Sequence, residues 1–328
     1  MTELPDPPSA DPDLVATVRE VIADESPGRW DRLAGLGLTR LTAPEAEGGS
    51  GAGWREAAVV VGELAAQGKA LPVGEHDLLA GWLLRSAGLP GDDRRRTAAI
   101  LRDGTAAEVP FAAESERVVC LWQDGPVWRV ADVPADSLTI TSGENLAGEP
   151  RDTVTVADEV AGAPVGPAVA GQFELRAALL RAIQVVGALE AACALAIEHV
   201  TTRKQFGRPL AKFQAVQHLL ADLAAEATLA RAAVDAAVDT AAAADSPDEF
   251  AVAVARSCAG HAASVVVRHA HQLHGAIGTA QEHFLHRLTL PVLAWRAEYG
   301  TTEQWDARVA ATASAAGPDG LWGLVTGT

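Results

Sequence analysis

From Phe173 to Leu273 the chain is dominated by alanine and by apolar stripes at helical spacing, and this constrains its fold more than any other feature. Leu179, Ile183, Val186, Leu189, Cys193, Ile197 and Val200 recur every three or four residues; Val216, Leu220, Leu223 and Ala227 resume the period after a break. A third helix is expected from about Glu249 to Leu273, with Ala241 to Asp248 as the loop before it. Alanine lets helices approach closely, which suits a four-helix bundle and its oligomeric contacts. The same period runs through the stretch from Leu14 to Ala87, on Leu14, Val18 and Val21 and on Ala57, Val60, Val61, Leu64 and Ala65. Between these two stripes, APEAEGGSGAGW from Ala43 to Trp54 reads as a connector, because no GK[ST] follows to cradle a phosphate. GDDRRRTAAILRDG, from Gly91 to Gly104, reads as a solvated helical face.

Between Ala106 and roughly Pro167 the period changes. ERVVCLWQ, PVWRVADV, LTITS and DTVTVAD are short runs rich in Val, Thr and Trp, separated by Gly, Pro, Asp and Asn. That pattern predicts antiparallel strands in a small β domain. The expected organisation is therefore mainly α with a small β domain: an N-terminal helical domain over 1–105, a reduced β domain over 106–167, and a C-terminal helical bundle over 168–328.

With 328 residues, 48% of them hydrophobic, the chain can bury a sizeable core. The first thirty residues, with Pro5, Pro7 and Pro8, lack the basic and apolar regions of a signal peptide, and no uninterrupted apolar run approaches about 18 residues. Cys120, Cys193 and Cys258 are odd in number and set among apolar neighbours, so they read as buried thiols in a reducing compartment, with the cytoplasm as the default. A net charge of −17 repels nucleic acid and anionic lipid, so neither nucleic acid nor membrane is expected as a partner. An anionic ligand would need local cations, and Arg203 and Arg208 offer them.

Two stretches carry the chemical signal: EHVTTRKQFGRPLAKFQAVQHLLADLAAE from Glu198 to Glu226, and RHAHQLHGAIGTAQEHFLHR from Arg268 to Arg287. The first sets Arg203, Gln205, Phe206 and Gly207 where one helix pauses, followed by Phe213, Gln214 and Gln217 where the next begins; the second spaces Gln272, Leu273, Gly275 and Gly278. In this order the motifs resemble R-x-Q-F-G, F-Q-x-x-Q and Q-x-x-G-x-x-G of the acyl-CoA dehydrogenases, over roughly Trp30 to Ala87 and Phe173 to Trp305. The resemblance implies an acyl-CoA dehydrogenase-like fold and FAD as cofactor. It places the adenine and pyrophosphate end of FAD, reached across a subunit interface, on Arg203, Gln205, Phe206, Phe213, Gln214, Gln272, Leu273, Gly275 and Gly278. It further implies an acyl-CoA substrate and electron-transfer flavoprotein as oxidant. His269, His271, His274, His283 and His286 lack the i, i+4 pair and the nearby cysteine of a zinc site, so no metal is expected.

Family members remove an α-proton with a glutamate while hydride passes from the β-carbon to the flavin. Most carry it in a Y-E-G-T segment, and here AEYGTTEQW puts Tyr299 at that position, beside Gly300 and Thr301. A smaller branch carries it on the helix before R-x-Q-F-G, where counting back reaches Ala177, with Ala178 at the place of a substrate-holding arginine and Arg176 and Arg181 close by. Glu298 and Glu174 are near misses, since adjacent residues on a helix point about 100° apart. The loop and the strand that hold the flavin ring also have no match; VPFAAESE around Pro110 and the strand from Ser137 to Ser142 are their nearest text. No catalytic residue is assigned.

Three readings follow. In the first the chain is the reduced subunit of a heteromeric acyl-CoA dehydrogenase, lending Arg203, Gln205 and Gln272 to FAD held by a full-length partner; such unequal pairs are known among actinobacterial enzymes acting on steroid side-chain CoA thioesters. The second is a self-sufficient homo-oligomer in which Glu298 or Glu303 is the base, and the third a flavin-free structural subunit.

Overall fold

The computed structural model describes residues 11–24, 27–157 and 160–326; Pro5, Pro7, Pro8 and Asp158 of the segments discussed above lie outside them. Asp11 caps α1 (Pro12–Ala23) by accepting the Asp13 N–H at 2.9 Å, with Pro12 opening the helix. Val15, Val18 and Ile22 form its buried face, while the expected Leu14 and Val21 are partly buried at its edge. After α2 (Arg29–Gly35), the connector passes into α3 (Trp54–Ala66), where Glu56 reaches back to the Gly53 N–H at 2.9 Å. Trp54 belongs to the helix, not the turn. A π-helical turn over Glu75–Gly81 then leads into α4 (Trp82–Ser86). Its Glu75, His76 and Asp77 are three consecutive buried ionisable residues, turned respectively to Arg181, the Arg96 N–H and Thr42.

Strands follow earlier than composition suggests. Arg96–Leu101, within the stretch read as a solvated helical face, is strand β1, and tertiary contacts override its local pattern. Ala98 packs on the helices, Ala99 and Leu101 face a second sheet, and the buried Arg96 is tied to Asp92 at 2.6 Å and Asp132 at 3.0 Å. The other strands are β2 (Thr105–Pro110), β3 (Arg117–Asp124), β4 (Val127–Pro134), β5 (Leu138–Thr141), β6 (Arg151–Val156) and β7 (Ala163–Val165). One sheet has the order β1-β3-β4-β7, with β1 parallel to β3, and the other the order β2-β6-β5. The unbroken apolar run of β3 reflects burial on both faces: Val118 and Cys120 enter the core between the sheets, Val119 and Leu121 the core under the helices.

The C-terminal part is a bundle of α5 (Val169–Thr202), α6 (Gln214–Ala244), α7 (Glu249–His274) and α9 (Thr302–Thr326), with α8 (His286–Trp295) packed on α5. Between α5 and α6 lies a small hairpin, β8 (Lys204–Gln205) and β9 (Arg208–Pro209). Helix α6 extends to Ala244, past the start of the expected loop. Helix α5 and the segment Glu249–Thr279 are long and apolar enough to cross a membrane, but their apolar windows are 72% and 50% buried inside the protein. Apolar residues on all sides of α5 answer to neighbours on all sides.

Gly187 sits at a close crossing of α5 and α3, because a Cβ there would fall 2.5 Å from the Gly62 carbonyl oxygen of α3. Gly187→Ala should therefore cost about 1–3 kcal/mol by overpacking. Gly171→Ala, at an open position of the same helix, should be neutral or gain up to about 1 kcal/mol. Urea denaturation of both variants checks the contrast, and equal effects would contradict it.

Candidate functional site

The motifs converge at one end of the bundle. The Arg203 N–H closes α5 on the His199 carbonyl at 2.9 Å, and the chain reverses through the hairpin. Phe206 and Gly207, at φ of +49° and +80°, make its two-residue turn. A bulky residue seldom adopts that backbone, and Phe206 does so with 90% of its surface exposed, meeting the edge of Phe213 at 6.1 Å. The Arg208 guanidinium lies 4.2 Å over the Phe213 ring. Stacking of His199 on His274, centroids 4.6 Å apart, joins the end of α5, just before this hairpin, to the end of α7. Arg203, Gln205, Gln214 and Gln272 are exposed, and among the described residues the side chains of Arg203, Gln205 and Gln272 have no hydrogen-bond partner.

Two predicted positions face inward instead. Leu273 packs in the core, and Gly278 is buried where a Cβ would fall 2.7 Å from the His274 Cβ, so both shape the turn and offer no side-chain surface. Gly275 is exposed at φ +61° with open space around it, leaving its backbone accessible to a ligand.

Of the candidate bases, Glu298 and Tyr299 lie at a second place, in the interior. Arg181 projects from α5 one turn beyond Ala177 and Ala178, fully shielded from water. Its Nε donates to Glu298 at 2.6 Å, and Nη1 donates to Glu75 at 2.8 Å and to Gln184 at 2.7 Å. Arg151 grips the other side of Glu298 at 2.8 Å and Glu149 at 3.0 Å, while Trp295 Nε1 donates to Glu149 at 2.8 Å. Arg256, from α7, donates to the carbonyls of Trp295, Arg296, Glu298 and Gly300 and so fixes the turn that carries Glu298 and Tyr299.

Burial alone would raise the Glu298 pKa, but the Arg181 and Arg151 guanidinium groups outweigh it and hold the carboxyl at about 2. Burial pushes the Tyr299 phenol up to about 12, against the opposing pull of Arg181, whose guanidinium lies 5.6 Å over the ring. Neither group can take a proton near neutrality at useful driving force. Glu174 and Glu303 are exposed, and Ala177 and Ala178 are sealed in the core. Arg176 is engaged elsewhere, between Trp54 and Trp82. Glu75, Phe111, Glu149, Arg151, Arg181 and Trp295 line a cavity of about 10 Å³, room for about one water molecule. The nearest text to the flavin-ring loop supplies Phe111, buried at φ +54° in that wall.

Residues 11–91 match the acyl-CoA dehydrogenase N-terminal domain and residues 168–313 the acyl-CoA dehydrogenase C-terminal domain. Acyl-CoA dehydrogenase IpdE2 of Mycolicibacterium smegmatis is 30% identical over 279 residues, 84% of each chain. The chain belongs to the acyl-CoA dehydrogenase family. The fold is shared with the ChsE4–ChsE5 complex of Mycobacterium tuberculosis at TM-score 0.82 and 23% identity, over 93% of this chain and 97% of that one. A variant of the Tcur3481–Tcur3483 steroid ACAD gives TM-score 0.80 at 25% identity, over 92% and 97%.

Members of this acyl-CoA dehydrogenase family are FAD-dependent oxidoreductases acting on the CH–CH bond of acyl-CoA thioesters. The two places in the structure fit FAD unequally. Unpartnered donors and an open glycine suit the anionic ADP end, whereas a cavity of about 10 Å³ cannot take a flavin ring or an acyl chain. Sequence reasoning missed Arg151, Arg256, Glu75 and Glu149. Arg256, like Arg181, stands alone within an apolar helix, and that isolation is the readable signal.

Because Glu298 has a depressed pKa, the stability it contributes is full above its ordinary value of 4.5 and is lost as pH falls through about 2. Glu298→Gln should cost about 3–5 kcal/mol at pH 7, by leaving buried guanidinium groups without their counter-charge. The gap from wild type should close as the pH approaches 2. Urea titrations across this range test it; a cost below about 1 kcal/mol at pH 7 would mean that the network is not coupled.

Proposed function

We propose that this chain is the subunit of a heteromeric acyl-CoA dehydrogenase that lacks the catalytic glutamate and lends ADP-side contacts to FAD in a full-length partner. One observation carries the reading: Glu298, the carboxylate beside the usual base position, is locked between Arg151 and Arg181 over a cavity of about 10 Å³. Proton abstraction, hydride transfer to FAD and the acyl chain then belong to the partner. Arg203 supplies charge and a planar donor fork to the pyrophosphate, Gln205 and Gln272 supply amide groups, and Phe206 with Phe213 supplies apolar walls. The exposure of Phe206 suits a side chain that another subunit covers. Relatives that include the ChsE4–ChsE5 complex and a steroid ACAD favour an unequal pair and a bulky steroid-derived acyl-CoA. Electron-transfer flavoprotein is the proposed oxidant.

Loss of a charge-assisted contact predicts that Arg203→Ala weakens flavin retention by the assembled complex about ten- to a hundredfold, with partial rescue by lysine. Flavin content measured after gel filtration checks this, and unchanged content would make the motif structural. Tyr299→Phe should leave turnover within about twofold, a barrier change of roughly 0.4 kcal/mol. A hundredfold loss with flavin and assembly intact would return chemistry to this subunit.

A further inference from the structure

Arg181 uses only part of its donor set. Of the N–H groups of a guanidinium, the one on Nε goes to Glu298 and those on Nη1 go to Glu75 Oε1 and Gln184. The Nη2 group is left over. Among the described residues Nη2 has no hydrogen-bond partner, and neither does the other oxygen of its own counter-ion, Glu75 Oε2. The two side chains are 0% and 1% exposed, so bulk solvent reaches neither. A buried charged donor and a buried carboxylate oxygen that stay unpaired each carry their desolvation penalty in full.

Both residues line the cavity of about 10 Å³, together with Lys69, Glu149, Arg151 and Gln184. That volume holds about one water-sized sphere. The charges around it narrow the occupant further. A small anion would stand beside the Glu75 and Glu149 carboxylates, and a metal or ammonium ion beside Arg151 and Arg181, where a low dielectric makes each repulsion strong. The place calls for a neutral group that accepts from a guanidinium and donates to a carboxylate. At this size water does both.

We propose that the cavity is a built site for one ordered water, which accepts from Arg181 Nη2 and donates to Glu75 Oε2. The water completes a junction of three regions: Glu75 from the π-helical turn, Arg181 and Gln184 from α5, and Glu149 with Arg151 from the β domain. Buried waters of this kind hold two to four polar partners and are costly to remove. The site belongs to the ion network of the chain and does not depend on the heteromeric function.

Crystals of the full chain, at a resolution that shows ordered solvent, should give one density peak within hydrogen-bond distance of both Arg181 Nη2 and Glu75 Oε2. A bromide soak should leave no anomalous peak there. No density at that place, or a bromide peak, would overturn the assignment. Ala65→Val supplies a second reading, because Ala65 is buried in α3 and lines the cavity, so that its added methyl groups take the volume of the water. Filling a dry gap would leave the fold as stable or make it more so, whereas expelling a water bound to two charged groups should raise the urea unfolding constant at least about tenfold and remove the density peak. An unfolding constant equal to or below that of the wild type, or a destabilised variant that still shows the peak, would contradict the proposal.

Discussion

A guanidinium group without access to water is the constraint on which the interior depends. Arg181 lies at full burial in the middle of the longest helix, and its charge is tolerable only because Glu298 and Glu75 bond to it. Glu298 is in turn held by Arg151, and Arg256 fixes the turn after α8 that carries it by donating to the backbone carbonyls there. A carboxylate committed to two guanidinium groups is a poor proton acceptor, and the side chains that commit it leave beside it a cavity of only about 10 Å³.

The same chain keeps its other end open. Against a net charge of −17, Arg203, Lys204, Arg208 and Lys212 cluster on the hairpin and the turn that follows it, so local attraction for an anion survives inside a repulsive field. Phe206 holds an unfavourable backbone and projects into solvent. Those features cost stability in an isolated chain, and a bound ADP moiety and a covering subunit would offset them.

Helix positions were legible because period and burial agree: Ala57, Val60, Val61, Leu64 and Ala65 lie on the core, as does most of the α5 stripe. Runs rich in Val and Thr became strands for the same reason. β1 was not legible, because alanines after a triple arginine look helical until a parallel neighbour and a second sheet are supplied. At the hairpin, residue types and spacing revealed which groups are polar and exposed, but not that Leu273 and Gly278 turn inward. The ion network was illegible for a different reason. Glu75, Glu149 with Arg151, and Arg181 come from three distant segments and meet only after folding, whereas Tyr299 beside Gly300 and Thr301 could be read directly.

The central claim is that this chain cannot hold and use a flavin by itself, and the visible absorption spectrum of the purified chain, taken together with its dye-linked turnover of acyl-CoA, tests it most directly. The account predicts a colourless protein with no turnover that becomes part of a yellow, active species when its partner is added. Stoichiometric flavin with acyl-CoA turnover in the chain alone would contradict it.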